Sequence, residues 1–468
     1  MTVTPGSRPR RWSTLLAVIA LAAPVVATTA TAPAALAQDG STHAGSTHAG
    51  RVQQGRAHHA RTRKVHVSRA FFGLHDGSGR AYGHVRFGSL RLWDAGVTWQ
   101  DVETAPGVYD WDRLDSLVAA AQAHHVEVTL VLAMTPSFYS AEPTSAPADL
   151  DDYARYVRAV MTRYRSFDGE RGIAAYQVWN EGNVSAFWTG TPQQLAQLTA
   201  VVARVRRQVD PGAEVVAPSF AIRLPYQRRW LSSYERQRVR GYHVWRYVDA
   251  NAISIYPKAT YGDRTGGPED AMALVGRIRH RLAHAGVPRH QKLWATEVNY
   301  GVAGGGPGVT PATPISQRRQ VANVLRTYLL GAADGLARVF WYRYDWRTVA
   351  GGGTLGNTLL TVPGEWDRVT PAGRAVGTAR AWLRGRLVGT HGRRPCAAGR
   401  HGTYRCTVRY RGGVRTIYWN PHRRVRVHLP ASARALSVAG RVLGRSVSRR
   451  AAATVRVGFQ PVMVTRAR

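Results

Sequence analysis

Tyr176-Gln177-Val178-Trp179-Asn180-Glu181-Gly182-Asn183 begins as an apolar, β-prone run and breaks off in polar residues. The run reaches back to Ile173 without alternating. It therefore reads as a strand buried on both faces, the kind that parallel sheets use. Asn180 and Glu181 then stand at the strand's C-terminal end. A second stretch, Lys292-Leu293-Trp294-Ala295-Thr296-Glu297-Val298-Asn299-Tyr300, has the same plan. It too delivers a carboxylate at the end of a short apolar run, 116 residues downstream.

Six further runs of this kind flank these two. Ala70–Leu74, Ser89–Trp93 and Val126–Ala133 come before the first, Glu214–Ala217 and Ala252–Ile255 lie between the two, and Arg338–Tyr342 follows. Helical spacing of apolar residues predicts helices between most of them. One starts near Trp111 with Asp110 as N-cap, and one covers Leu150–Tyr164. One opens at Thr191-Pro192-Gln193-Gln194, a capping box with Pro in the first turn, and runs to about Val209. Others cover Pro268 to about Ala285, Ser316–Ala333 and Thr370–Leu383. Residues 221–249 read as irregular and partly helical. Gly77–Gly88 is too glycine-rich and too short for a helix, so the first crossover lacks one. Eight strands alternating with helices predict an α/β chain, a (β/α)₈ barrel over residues 65–382. Beyond Leu383 the texture changes to short alternating runs, Thr416–Trp419, Arg424–Leu429 and Thr454–Val457, separated by Gly, Pro and Asn. These predict a C-terminal antiparallel β-sandwich domain over residues 383–468.

The N-terminal segment reads differently from both. Arg8, Arg10 and Arg11 precede an apolar run, Leu15–Val26, and Ala35-Leu36-Ala37 fits a cleavage site. Residues 1–38 are thus expected to be a signal peptide, with Sec and twin-arginine export both open, and the protein secreted and extracellular. Residues 39–64 carry two Ser-Thr-His-Ala-Gly repeats and then Arg and His without periodicity, which reads as a disordered basic linker. No other stretch stays apolar for 18 residues, so no membrane partner is expected.

The formal charge is +36, and Lys occurs only at positions 64, 258 and 292. The charge is uneven: Asp367 is the last acidic residue, and residues 381–468 hold 20 Arg. A merely basic surface is one reading. Electrostatic adhesion to anionic cell-wall or glycan polymers is the other. Nucleic acid is not the expected partner, because the aromatic residues gather at strand ends rather than along a basic groove. Cys396 and Cys406 are the only cysteines. In a secreted chain they are expected to form a disulfide, with buried free thiols as the alternative. No metal, nucleotide or other cofactor motif is present, and a monomer is expected.

Two glutamates closing two strands of one barrel suit glycoside hydrolysis. One carboxylic acid protonates the leaving oxygen, and a second carboxylate attacks the anomeric carbon or activates water. One such Glu alone would read as an ion-pair partner for Arg. Several motifs add to the pair: Trp179-Asn180-Glu181, Trp294-Ala295-Thr296-Glu297, Thr135-Pro136, and Arg91-Leu92-Trp93-Asp94 followed by Trp99, Glu103, Gly107-Val108-Tyr109-Asp110-Trp111 and Leu114-Asp115. On these motifs the sequence resembles the clan A glycoside hydrolases, retaining enzymes on (β/α)₈ barrels. In texture it is nearest to family 39, the β-xylosidase and α-iduronidase family, whose members also carry a C-terminal β domain. The resemblance spans about residues 70–380. It implies Glu181 as general acid/base, Glu297 as nucleophile and Asn180 on the sugar 2-hydroxyl. It further implies that Arg91 and Tyr256 hydrogen-bond the nucleophile and keep it ionised, and that Trp341 is a stacking platform. The implied substrates are oligo- or polysaccharides. A catalytically inactive carbohydrate- or wall-binding protein on the same barrel is the alternative.

Two positions depart from the pattern: Gly182 stands where many members have Pro, and Ser254 where many have His. Trp188, Phe138 and Phe220 follow strand ends and read equally as sugar platforms or as packing. His75 and Asp94 read equally as contacts to sugar hydroxyls or as structural hydrogen bonds.

Overall fold

The computed structural model describes residues 64–256, 266–301, 315–344, 360–362, 365–389, 394–446 and 453–466. The leader, the linker up to residue 63 and the Gly/Pro-rich segment 302–314 lie outside them. Eight parallel strands close into a barrel. They are β1 (Phe72–Leu74), β2 (Ser89–Leu92), β3 (Glu127–Val131), β4 (Ala175–Gln177), β5 (Glu214–Ala221), β6 (Ala250–Ser254), β7 (Lys292–Val298) and β8 (Arg338–Trp341). Closure is made by β8 on β1, with Phe340 opposite Gly73 and Trp341 opposite Leu74.

The barrel interior explains the small residues on its strands. Trp294 and Phe340 fill its lower half, and Ala175, Val216, Ala250 and Ala252 make room for them. Gly73 is part of the same fit, because a Cβ there would lie 2.4 Å from the Phe340 ring. Large residues on two strands met by small ones on the facing strands give a filled core rather than a pore. Arg338 lies over the Trp294 ring at 4.3 Å and bonds Glu127 at 2.5 Å, and Lys292 pairs with Glu214. These ion pairs sit at the N-terminal ends of the strands, the end that serves stability.

Besides a single turn at Trp99–Val102, the α-helices among the described residues are α1 (Asp112–Ala123), α2 (Leu150–Tyr164), α3 (Pro192–Val209), α4 (Pro225–Glu235), α5 (Pro268–His284), α6 (Gln317–Asp334) and α7 (Pro371–Leu383). Their starts follow the capping chemistry. Thr191 and Gln194 cap α3 reciprocally, Ser316 accepts from Arg319 N, and Thr370 accepts from Gly373 N. Asp110 accepts the Asp112 amide at 3.1 Å, so α1 begins one residue later than a cap at Asp110 would place it. The segment expected to be irregular and partly helical contains α4. No helix lies between Leu74 and Ser89, as the glycines there foretold.

After α7 the chain forms antiparallel sheets. In the larger one, Cys406, Val408, Ile417, Trp419 and Met463 join the barrel's core cluster. On its other face Ala433, Ala435, Val462 and Val464 pack with Val455 and Val457 of a two-stranded sheet. Strict alternation of side chains thus gives the larger sheet one face for the barrel and one for the sandwich. Cys396 and Cys406 are bridged. One strand comes from an unexpected place: Lys64–His66 pairs with Arg386–Val388 at the edge of this sheet. Residue 64, read as linker, and residues 65 and 66, read as barrel, pair with the C-terminal strands instead.

Candidate active site

The C-terminal end of β4 is fastened to β5. Ser219 accepts the Glu181 amide at 2.8 Å through its hydroxyl and the Gly182 amide at 3.0 Å through its carbonyl. Asn183 reaches the same strand, receiving the Ala221 amide and donating to the Ala221 carbonyl. Glu181 itself has φ +38°. A left-handed non-glycine residue costs backbone energy and persists where its surroundings fix it, often at functional sites. The departure at position 182 also finds its cause here. Proline has no amide to donate to Ser219, and a Cβ at Gly182 would sit 2.4 Å from Leu195 Cδ2.

Glu297 needs a device of its own. Trp294 points into the barrel, so simple alternation would turn Glu297 outward. The pairing of β7 with β6 skips a residue at this point: Ile253 faces Ala295, and Ser254 faces Glu297. The extra residue re-aims the carboxylate toward the mouth, as bulges beside active sites do. There Glu297 Oε1 accepts from Arg91 Nη1 at 2.8 Å, and Oε2 accepts from the Tyr256 hydroxyl at 2.6 Å.

Arg91 ties the two strand ends together. It lies on β2, fully buried, and each of its three nitrogens has an acceptor. Nη1 serves Glu297, Nη2 serves Asn180 Oδ1 at 2.9 Å and Nε serves Gln177 Oε1 at 2.7 Å. Asn180 also accepts from Ser219 at 3.3 Å. His75 Nε2 donates to the Thr296 carbonyl at 2.9 Å, which places a proton on that nitrogen. Burial and the Arg91 charge push its pKa down to about 3.

Burial raises both site carboxyls, which is the main force on each. For Glu297 the value is about 7, with Arg91 pulling it down, the Glu181 charge pushing it up and the Tyr256 hydroxyl pulling it down. For Glu181 the Ser254 hydroxyl and the charges of Arg223 and Arg91 act against burial, and the shift is still upward. Arg91 and Tyr256 were expected to leave the Glu297 pKa lowered. They act in that direction, but desolvation outweighs them. Burial also tends to raise Asp94. There Arg343 at 2.7 Å, His75 and the Tyr342 hydroxyl win, and the carboxyl stays below its ordinary value.

Glu181, Glu297, Asn180, Arg91, Tyr256 and His75 therefore meet at one end of the barrel. The two tryptophans do not join them with an open face. Trp341 is fully buried, 6.2 Å from the Tyr300 ring centroid, so it offers no stacking surface. Trp188 is 3% exposed and packs edge-on against Trp179. Both follow strand ends in the sequence, but their rings turn into the core. Phe220 is buried against Trp230 and Tyr234, whereas Phe138 is 39% exposed. Gln177, Ser219, Tyr342 and Arg343 belong to the site and were not expected there. Gln177 carried a signal: it is a polar residue two positions after the inward-facing Ala175, and so shares its side of the strand.

No family model matches the sequence, and no curated protein matches it. Solved structures do match. A family 39 glycoside hydrolase from the gut symbiont Bacteroides cellulosilyticus WH2 superposes over 86% of this chain and 82% of its own, with TM-score 0.62 and 15% identity. A monomeric β-xylosidase from Caulobacter crescentus CB15 aligns over 87% of this chain and 97% of its own, with TM-score 0.60 and 14% identity. A GH30 endoxylanase from Clostridium papyrosolvens C71 aligns over 87% and 98%, with TM-score 0.52 and 14% identity. The fold is one that these proteins share. The fold expected from the strand-end motifs, a barrel with a β-sandwich after it, is the fold found. At such low identity the likeness extends to architecture, and the chemistry must be argued from the residues above.

Proposed function

We propose that the protein is a secreted, retaining glycoside hydrolase acting on oligo- or polysaccharides, with Glu297 as nucleophile and Glu181 as acid/base. The observation that carries this reading is the binding of both Glu297 oxygens by donors, Arg91 on one and Tyr256 on the other. A carboxylate held at both oxygens is oriented for attack. A charge stabilised by these donors belongs on Glu297, which leaves the remaining proton of the pair on Glu181.

In the first step the bond from the anomeric carbon to the glycosidic oxygen breaks. Glu181 gives its proton to that oxygen, and a Glu297 oxygen bonds to the anomeric carbon. The Glu297 charge is then gone, and the pKa of Glu181 falls. In the second step Glu181 takes a proton from water, the hydroxide equivalent attacks the same carbon, and Glu297 leaves as a carboxylate. Two inversions give retention. In this reading Asn180, held by Arg91 and Ser219, gives the sugar 2-hydroxyl a fixed hydrogen bond. The similar structures belong to glycosidases that use this fold, which supports the reaction class.

The test uses dinitrophenyl glycosides, whose leaving group needs no protonation. Glu181→Ala should keep the first step, accumulate the intermediate, and turn over faster with azide to give a glycosyl azide of retained configuration. Glu297→Ala should lose nearly all activity on every substrate. Inversion by the wild-type enzyme, or near-normal rates in Glu297→Ala, would falsify the assignment.

A further inference from the structure

Away from the carboxylates, a cleft of about 1300 Å³ runs between α6, α7 and the C-terminal sheets. Its barrel wall carries Arg318 and Arg319 at the start of α6 and Arg374 on α7, and its opposite wall carries Arg423, Arg424 and Arg456. All six are exposed, and among the described residues none that lines the cleft is acidic. Among the described residues none of the six is in an ion pair.

The bonds they make are to neutral groups. Arg318 Nε donates to Gln460 Oε1 at 2.8 Å, Arg374 Nη1 donates to the Val369 carbonyl at 2.7 Å, and Arg318 and Arg319 lie over the Phe459 ring at 5.7 and 5.1 Å. Such contacts hold guanidinium groups in place without neutralising them. Several like charges across one concave space repel each other, and a cleft focuses their field onto whatever enters. Arginine on two facing walls suits carboxylate, sulfate or phosphate oxygens, which it can bind in pairs.

We propose that this cleft binds an acidic polysaccharide, with the sugar carboxylates or sulfates held between the two walls. Two facing walls fit a chain better than a flat membrane. Single-stranded nucleic acid would want open aromatic platforms, and here Phe459 is covered by guanidinium groups and Trp382 is buried. Helices that follow strands in this barrel begin at the strands' C-terminal end, so Arg318 and Arg319 place one end of the cleft beside the rim that bears Glu181 and Glu297. The choice of a polysaccharide over other polyanions rests on the glycosidase reading above. The charge of the cleft does not.

The test is binding of full-length protein to polygalacturonate at low ionic strength, with neutral xylan, polyphosphate and single-stranded DNA as comparators. The triple variant Arg319→Ser, Arg424→Ser, Arg456→Ser should bind polygalacturonate about tenfold or more weakly. A control that removes equal charge from other helices, Arg207→Ser, Arg229→Ser, Arg277→Ser, should stay within about twofold of wild type. Equal loss in both triples, or no loss in the first, would overturn the cleft as the site. Tighter binding of polyphosphate or DNA than of polygalacturonate would overturn the polysaccharide. Hydrolysis of a neutral aryl glycoside is measured alongside. A chain that binds through the cleft and hydrolyses nothing contradicts the proposed activity and leaves the cleft standing, whereas the cleft triple should hydrolyse the neutral substrate as wild type does and so prove itself folded.

Discussion

Arg91 and Arg424 are the same residue type in two opposite settings. Arg91 is buried at the barrel rim, and each of its nitrogens has an acceptor in the protein. Arg424 is exposed in a cleft that no acidic residue lines among the described residues. The comparison separates two uses of one cation. Inside the barrel, where water is excluded, a charge must be matched within the chain, and matching it fixes the geometry of everything it touches. At the cleft the charge stays solvated and unmatched, which leaves it available to an outside partner.

The largest effect is expected at the buried member. Arg91→Met leaves Glu297, Asn180 and Gln177 without their shared donor. Its kcat/KM should fall about 10³-fold or more, measured on aryl glycosides, with circular dichroism to confirm folding. A loss under tenfold would mean that the buried cation is structural only.

A smaller loss, about tenfold, is expected for Tyr256→Phe, which removes one hydrogen bond to Glu297. Its signature is in the pH profile. Glu297 must be ionised to attack, so activity in the wild type should rise through pH about 7. The Tyr256 hydroxyl favours the ionised form. Removing it raises the Glu297 pKa, so the acidic limb should move to higher pH. A limb that stays in place would detach Tyr256 from the nucleophile.

Trp419 lies between the two extremes. Its Nε1 donates to Glu269 at 2.7 Å, and Glu269 also pairs with the buried Arg326. Trp419→Phe loses the bond and part of a fully buried ring, and should cost about 2–3 kcal/mol in denaturant unfolding. The smallest effect is expected at the cleft: Arg424→Ser should change unfolding free energy by no more than about 0.5 kcal/mol. A loss there as large as that of Trp419→Phe would show that the cleft cations hold the fold together after all.

The residues that meet at the rim were largely readable in the sequence, and the reason is particular. Glu181, Glu297, Arg91 and Tyr256 all close strands or sit near strand ends, and a parallel barrel gathers its strand ends on one side. The tandem of Trp-Asn-Glu and Thr-Glu singled out the two glutamates, and the family resemblance added Arg91 and Tyr256. What could not be read is direction. Trp341 closes its strand as Tyr256 follows its own, and Trp188 lies in the loop after another, yet both tryptophans face inward. Whether such a ring points to the mouth or the core depends on a one-residue offset between neighbouring strands, such as the bulge at Ser254 and Glu297, and no local pattern records that offset. The raised pKa of Glu297 was hidden for a similar reason: its partners are visible as residue types, but its desolvation is set by the whole rim. Pairing of Lys64–His66 with Arg386–Val388 was equally hidden, because the two segments are separated by the entire barrel.

That last pairing closes the barrel segment into a ring of chain. Residues 67–385 leave from and return to adjacent strands, so both ends of the barrel are held at one hinge of three residue pairs. Loop-closure entropy then acts on the barrel as a whole, since the N-terminal end cannot fray without first opening this clasp. A protease that cuts at the edge strand releases the N-terminal end, while Arg386–Val388 stays paired with Thr407–Arg409. Shortening the chain at residue 382 would do the same from the other side, stranding Lys64–His66 and uncovering the helix surfaces that Ile417 and Trp419 now cover.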